Sequence, residues 1–293
     1  MPGRREVVVR VHAAAVTAGD ARIRAARLPP GFALPGRLAL GLRGPRRPVL
    51  GGTLSGVVEA LGPGAEGLAV GDAVAGMNGV RMGAHAELVR VRADRLVRLP
   101  EGVAHVAAAG ALFGASTAMG LVLGRARLAA GERLLVVGAS GAVGTSTVQL
   151  ARIHGAHVTV LASAANLELA RRLGADEAHD RRTTPPESLG RFDVVLDAAG
   201  ALDRRRGLAL LADGGRLVLA VATLGETITA RGPVVAGPAA ERPESFARAL
   251  ALVADGSLDP VVHSAGGLDA IVDAYREVDA GTKVGNLVVE PQR

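Results

Sequence analysis

Cysteine is absent from this 293-residue chain. That excludes disulfides and any zinc site built on thiolate ligands. Aromatic rings are almost as scarce: four Phe, one Tyr and no Trp. A core must therefore be assembled from Ala, Val and Leu, with little ring stacking. Lys283 is the sole lysine, so the net charge of +6 rests on arginine. The arginines are scattered, apart from short runs such as Arg46-Arg47, Arg181-Arg182 and Arg204 to Arg206. This distribution fits a solvated surface and a GC-rich coding bias better than a nucleic-acid footprint. The opening MPGRREVVVRVH holds no signal-peptide apolar core. One stretch, Val103 to Leu123, has the length to cross a bilayer, but it is mostly Ala and Gly and carries His105, Ser116 and Thr117. It reads as a packed helix pair between two lobes, in a cytoplasmic chain without a membrane partner.

The stretch that is richest in signal runs from Glu132 to Ser163, ERLLVVGASGAVGTSTVQLARIHGAHVTVLAS. Leu134 to Val137 is short and branched enough for a buried parallel strand. Thr145 to His154 reads as a helix stopped by Gly155, and His157 to Leu161 as a second strand. Between strand and helix lies Gly138-Ala139-Ser140-Gly141-Ala142-Val143-Gly144, an A-x-G-x-x-G form of the dinucleotide fingerprint. Gly141 lets the backbone approach a diphosphate, Gly144 lets helix pack on strand, and the helix start offers free N–H groups to the anion.

Ahead of this unit the chain reads as short strands. They are Glu6 to Val11, Gly56 to Ala60, the turn-and-strand Ala69 to Val74, Ala84 to Val91 and Arg95 to Leu99. Thr17 to Ala26 reads as a turn and short helix, and Leu28 to Pro48, rich in Pro, Gly and Arg, as a surface loop. After it, helices and strands alternate. Leu167 to Leu173 is a helix, Asp193 to Leu196 a strand, Arg204 to Leu211 a helix and Arg216 to Val221 a strand. Gly225 to Glu241 is loose, Glu244 to Ala254 a helix, Leu268 to Asp279 another, and Asn286 to Val289 a last strand. Such alternation implies a doubly wound parallel sheet, hence an α/β fold. Ligands gather at the carboxyl edge of that sheet, which places Gly200, Val221 and Ala222 beside a cofactor.

Taken in order, VVVRVHAAAVTAGD (7–20), PVLGGTLSGVVEALGPG (48–64), VGDAV (70–74), GAHAEL (83–88), the GASGAVG turn, LARRLGAD (169–176), FDVVLDAAG (192–200) and GGRLVLAV (214–221) resemble the medium-chain dehydrogenase/reductase superfamily. The branch they are most similar to is that of zinc-free quinone oxidoreductases and enoyl reductases. The resemblance implies a β-rich GroES-like catalytic lobe (1–115), a Rossmann lobe (116–258) and a C-terminal return to the first lobe (259–293). It also implies a homodimer through the edge of the Rossmann sheet. Zinc-dependent members carry His and Glu where this chain has Gly52 and Thr53, and the cysteine-rich structural-zinc lobe is missing, so no metal is expected. Relatives begin about one strand and a linker ahead of Met1. The resemblance thus implies either a catalytic lobe lacking its first strand or a misplaced start. It marks Thr17, Asp20 and Arg22 as substrate-cleft candidates, with Asn usual at the first position and Tyr or another polar side chain at the third, and Thr117 as a nicotinamide neighbour, while Asp20 reads equally as a turn cap. It assigns no catalytic group.

The choice of nicotinamide rests on an absence. An acid about 20 residues past the turn holds the ribose 2′-OH in NAD enzymes. Here the strand ends Leu161-Ala162-Ser163-Ala164-Ala165-Asn166. NADPH is favoured over NAD, with Ser163 and Asn166 as donors to its 2′-phosphate. Without metal or tuned base, hydride delivery to an activated C=C or quinone asks less of the chain than alcohol oxidation does. The substrate is then a small molecule. Two other classes stay open: a degenerate NADPH-binding scaffold or sensor, and an alcohol or aldehyde dehydrogenase working without metal. His154 reads as a helix-end residue, His85 and His263 as satisfied polar positions, and Lys283 as a turn residue near the last strand.

Overall fold

The N-terminal strand runs through the first sheet with one face buried in its first half and both faces buried in its second. β1 (Glu6–Val16) buries Val7, Val9 and Val11 on one face and, beyond a bulge, every residue from Ala13 to Val16. A short helix follows, α1 (Ala18–Arg24). The structure, a computed structural model, describes residues 1–41 and 47–293. Where a surface loop was expected from Leu28 to Pro48, it contains a helix, α2 (Ala33–Leu40). Pro35 is tolerated because it sits in the first turn, where its missing N–H has no helical partner to lose. Residues 42–46, with Arg46 of the Arg46-Arg47 pair, lie outside the described residues.

Next come β2 (Thr53–Leu61), β3 (Ala73–Met77), β4 (Leu88–Arg92) and β5 (Leu96–Arg98). Gly56 and Gly76 set their spacing. A Cβ on either would stand 2.0 Å from the Arg10 carbonyl oxygen or 2.2 Å from that of Arg95. α3 (His105–Ala118) then continues without a break into a wider π-helical segment, Met119–Arg125. One rod thus replaces the expected helix pair, since no proline interrupts it and the widened turns absorb Gly120 and Gly124. Among the described residues it is the one helix long and apolar enough to cross a membrane, and 67% of it is buried inside the protein.

The rest alternates: β6 (Arg133–Val137), α4 (Ala142–Ile153), β7 (His157–Ala162), α5 (Leu167–Leu173), β8 (Glu177–Asp180), β9 (Phe192–Asp197), α6 (Arg204–Ala209), β10 (Leu211–Leu219), α7 (Leu224–Ile228), β11 (Val234–Ala236), α8 (Pro243–Ala254), β12 (Val262–Gly266), α9 (Ile271–Ala280) and β13 (Asn286–Val289). β8, α7 and β11 were not anticipated. β8 reads EAHD, too polar to signal a strand, and the others fall inside the stretch taken as loose.

The second sheet is wholly parallel, in the order β8-β7-β6-β9-β10-β11. Winding reverses at β6, so a crevice opens between the carboxyl ends of β6 and β9. Alternate side chains of β6 serve opposite layers. Leu134 and Val136 pack with Val148 and Ala151 of α4, while Leu135 and Val137 join Phe192, Leu217 and Leu219. The first sheet runs β12-β13-β1-β2-β3-β5, with β4 also on β1. Its last two strands come from the chain's end, Ala15 facing Val288 across β1 and β13. Gln149 of α4 fixes that return, donating to the Asp259 carbonyl at 2.9 Å and accepting its N–H at 2.7 Å.

Candidate active-site cleft

The glycine turn is shaped by contacts of backbone on backbone. Gly138 has φ +84°, and a Cβ there would meet Ala199 at 2.9 Å, so β6 and β9 end side by side. At Gly144 a Cβ would lie 2.2 Å from the Gly138 carbonyl oxygen. The first helical bond of α4 runs from Thr145 N–H to Gly141 O at 2.8 Å. The amides of Ala142, Val143 and Gly144 therefore have no acceptor within the helix, and the bridge between Gly141 and Gly285 sets Ala142 against the Gly285 turn. Gly114 of α3 touches the Ala142 carbonyl so closely that a Cβ would stand 2.2 Å away. Thr117 lies one turn further along α3, half-buried.

Asp197 organises the neighbouring edge. Fully buried at the end of β9, it accepts from the N–H groups of Ala199 (2.9 Å), Gly200 (2.9 Å) and Leu202 (2.7 Å). Gly200 (φ +72°), Val221 and Ala222 line a cavity of about 490 Å³ with Arg22, Arg27 and Pro29-Pro30 from the first lobe. The lobes are stitched there by Leu224 N–H donating to Pro30 O at 2.9 Å. On the other side of β6, Ser163 and Asn166 share one turn, Asn166 Nδ2 donating to Ser163 Oγ at 3.0 Å. Arg181 follows β8 directly, its N–H on Ala162 O at 2.9 Å.

The three first-lobe candidates part company. Thr17 and Asp20 form a capping box that starts α1: Thr17 Oγ1 donates to Asp20 Oδ2 at 2.6 Å, and Asp20 N–H returns to Thr17 Oγ1 at 3.1 Å. Thr17 N–H also donates to Asp20 Oδ2, at 2.9 Å. Both residues are buried, so their polar groups serve the helix start. Arg22, one turn on, reaches the cavity.

Comparison with known proteins bears on this arrangement. Residues 3–101 match the alcohol dehydrogenase GroES-like domain, and residues 173–289 match the family described as zinc-binding dehydrogenase. Polyketide synthase GfsB of Streptomyces halstedii is 34% identical over 270 residues, which is 86% of this chain and 5% of that protein. The mitochondrial NAD(P)H oxidoreductase RTN4IP1 of Danio rerio is 33% identical over 217 residues, 70% of this chain and 56% of that one. The chain belongs to the medium-chain dehydrogenase/reductase superfamily. The chain spans about half of RTN4IP1 and a small part of the synthase. The quinone oxidoreductase of Coxiella burnetii shares the fold, with a TM-score of 0.87 over 99% of this chain and 92% of that one at 23% identity.

In this medium-chain dehydrogenase/reductase the remaining polar residues sort by their partners. Among the described residues no three His, Cys, Asp or Glu gather as metal ligands. His85 is satisfied, Nε2 donating to Ala15 O at 3.0 Å and Nδ1 facing the Tyr275 hydroxyl at 3.3 Å. Burial, then Asp20, pushes the Tyr275 phenol above its ordinary value. His154 closes α4, His157 lies beside Asp176 at 3.8 Å, and His263 beside Glu277 at 3.3 Å. Sequence reasoning passed over two buried polar residues of the first lobe, Thr53 and Asn78. Asn78 N–H donates to Gly52 O at 2.7 Å, yet Thr53 Oγ1 and Asn78 Oδ1 are buried without partners among the described residues. Nothing in the residue types alone marks such orphans, which arise from packing.

Lys283 is the exception among the cations. Gly285 N–H donates to Ser140 O at 2.8 Å, tying the lysine's turn to the superfamily's nucleotide loop. Its Nζ folds back onto Gly285 O, and burial pushes its ammonium down to about 8 against the pull of Glu277. A lysine that releases its proton earlier when folded leaves the unfolded chain holding more protons between about 8 and 10.5. Its burial therefore weakens the fold fully below pH 8, and stability recovers as pH rises through that window. Lys283→Met should be about 1–3 kcal/mol more stable than the parent at pH 7, with the gap shrinking by pH 10.5. Urea titrations at the two pH values check this, and a gap independent of pH would refute it.

Proposed function

We propose that this chain is an NADPH-dependent reductase that delivers hydride, without zinc, to an activated C=C bond or a quinone. One observation carries the reading: the start of α4, whose first amides have no helical acceptor, follows β6 at the same carboxyl edge of the sheet that carries Gly200, Val221 and Ala222 of the cavity between the lobes. The amides of Ala142, Val143 and Gly144 would hold the diphosphate. Ser163, Asn166 and Arg181 would hold the 2′-phosphate, and Thr117, Gly200, Val221 and Ala222 would surround the nicotinamide. Gly141 suits this role, since its amide side is kept open by the absence of a side chain.

When bound, the reduced nicotinamide supplies a hydride equivalent to the electrophilic carbon of the acceptor. The chain's own residues orient that acceptor, shield it between Pro29-Pro30 and α7, and offer donors to the oxygen on which charge builds. Solvent reaching the cavity returns the final proton. Zinc does not fit the donors present. Thr17 is spent on a helix cap, Gly52 has no side chain, and Thr53 offers only a hydroxyl. Alcohol oxidation, which needs a group to take up alkoxide charge, is correspondingly disfavoured.

The use of Thr17 and Asp20 as a cap favours one second reading, an NADPH-binding scaffold without turnover. Mixing the protein with NADPH and a panel of enones, quinones and alcohols separates the two. Loss of nicotinamide absorbance with enones or quinones is the expected result. Binding without oxidation across the panel selects the scaffold, and turnover of alcohols alone selects a metal-free dehydrogenase. We place the chain in the cytoplasm, with a small-molecule substrate and a second copy on the outer edge of β11.

A further inference from the structure

Resting on the reductase reading and narrowing it, we infer that Arg22 selects acceptors that carry a carboxylate. Arg22 is half-buried in the cavity between the lobes, and among the described residues no acid pairs with it. A guanidinium so placed is held in poorer solvent than water, and burial draws its pKa below the ordinary value. Arg27 shares the cavity and likewise has no acid partner among the described residues.

The acids nearby are already engaged. Asp203 accepts the Arg206 N–H at 2.8 Å, and Glu226 accepts the N–H and hydroxyl of Thr223 at 2.8 and 2.9 Å. Arg206, the third cation lining the cavity, is paired with Glu187. The cavity therefore offers two uncommitted guanidinium groups to an incoming anion.

That anion is not the cofactor's. The diphosphate amides follow β6, whereas Gly200 follows β9 and Val221-Ala222 follow β10, one and two strands away. At about 4.8 Å per strand this is roughly 5–10 Å towards the nicotinamide end. Ser163 and Arg181, the 2′-phosphate candidates, lie on the opposite side of β6. What meets Arg22 beside the nicotinamide is the acceptor, and a planar fork of donors matches a carboxylate two bonds at a time.

The test uses trans-4-oxo-2-pentenoate and its methyl ester with the NADPH-loaded protein. Hydride adds to the alkene, water supplies the proton, and the product is the saturated oxo acid or ester. The ester is intrinsically the more electrophilic, so a preference for the acid reports recognition. The parent should favour the acid by about 10-fold or more in kcat/KM, and Arg22→Gln should lower the acid's value by about 10–100-fold while leaving the ester's within about 3-fold. Arg22→Lys should fall between them, and the NADPH Kd should not move. Equal losses on acid and ester, or a weakened NADPH Kd with the acid-to-ester ratio intact, overturn the inference. Turnover without acid preference overturns it and leaves the reductase reading standing. If NADPH binds but neither compound is reduced, the reductase reading fails. The saturated competitor 4-oxopentanoate then decides the inference: weakening of about 10-fold in Arg22→Gln sustains it, and unchanged binding removes it.

Discussion

Gly144→Ala should destroy cofactor binding and cost the fold about 3 kcal/mol or more. The added Cβ would stand 2.2 Å from Gly138 O, 2.6 Å from Ala139 Cα and 2.8 Å from Ala139 C. All three are backbone atoms of the turn itself, so no side-chain rotation relieves the clash. Either α4 withdraws from β6 or the turn opens, and both displace the amides of Ala142 and Val143. At this chain length the melting temperature should drop by roughly 6–12 °C, and the NADPH Kd should rise by about 100-fold or more, which corresponds to about 2.7 kcal/mol. Gly141→Ala is the discriminating control. Its backbone is ordinary extended chain (φ −81°, ψ 172°), and the nearest atom to a new Cβ is Gly138 O at 3.8 Å. That variant should melt like the parent yet bind NADPH poorly, because only the approaching diphosphate meets the methyl group. Calorimetry and fluorescence titration of both variants settle the point. A Gly141→Ala protein with parental affinity would place the diphosphate elsewhere.

Asp197→Ala should be the most damaging substitution of a polar residue in the cleft, at about 3–5 kcal/mol. Its carboxylate is fully buried and is the common acceptor for three amides, those of Ala199, Gly200 and Leu202. Removing it leaves those donors without a partner in a segment that forms one wall of the Arg22 cavity. Asp197→Asn keeps one oxygen but points an amide at a donor, so about half of that loss is expected. Urea unfolding gives the magnitude, and hydrogen exchange at residues 199–202 should accelerate in both variants. A loss under about 1 kcal/mol for Asp197→Ala would mean that water replaces the carboxylate without strain.

The two predictions differ in how far ahead they could be seen. Gly144 stands out in the primary structure, because A-x-G-x-x-G between an apolar run and a helix has a local steric meaning. The α/β class, the wound parallel sheet and most of its helices were legible for the same reason: burial on a strand or helix imposes a period on neighbours along the chain. Asp197 was visible only as the end of a strand. Its three amides come from a backward loop whose course depends on β6 and β9 lying side by side. α2 and α7 were missed because such short helices gain stability from contacts such as Pro30 with Leu224, not from their own composition.

Chain order alone therefore established the glycine turn, the sheet that carries it and the lack of thiolate ligands, since each depends on residues close in sequence or on none being present. Only the folded arrangement separated Thr17 and Asp20, bound to one another as a helix cap, from Arg22, left facing the cavity. It also brought Lys283 to the glycine loop from the far end of the chain. The Thr17–Asp20 cap is local, but the surroundings of Arg22 and Lys283 depend on segments tens to hundreds of residues away, which no local pattern encodes.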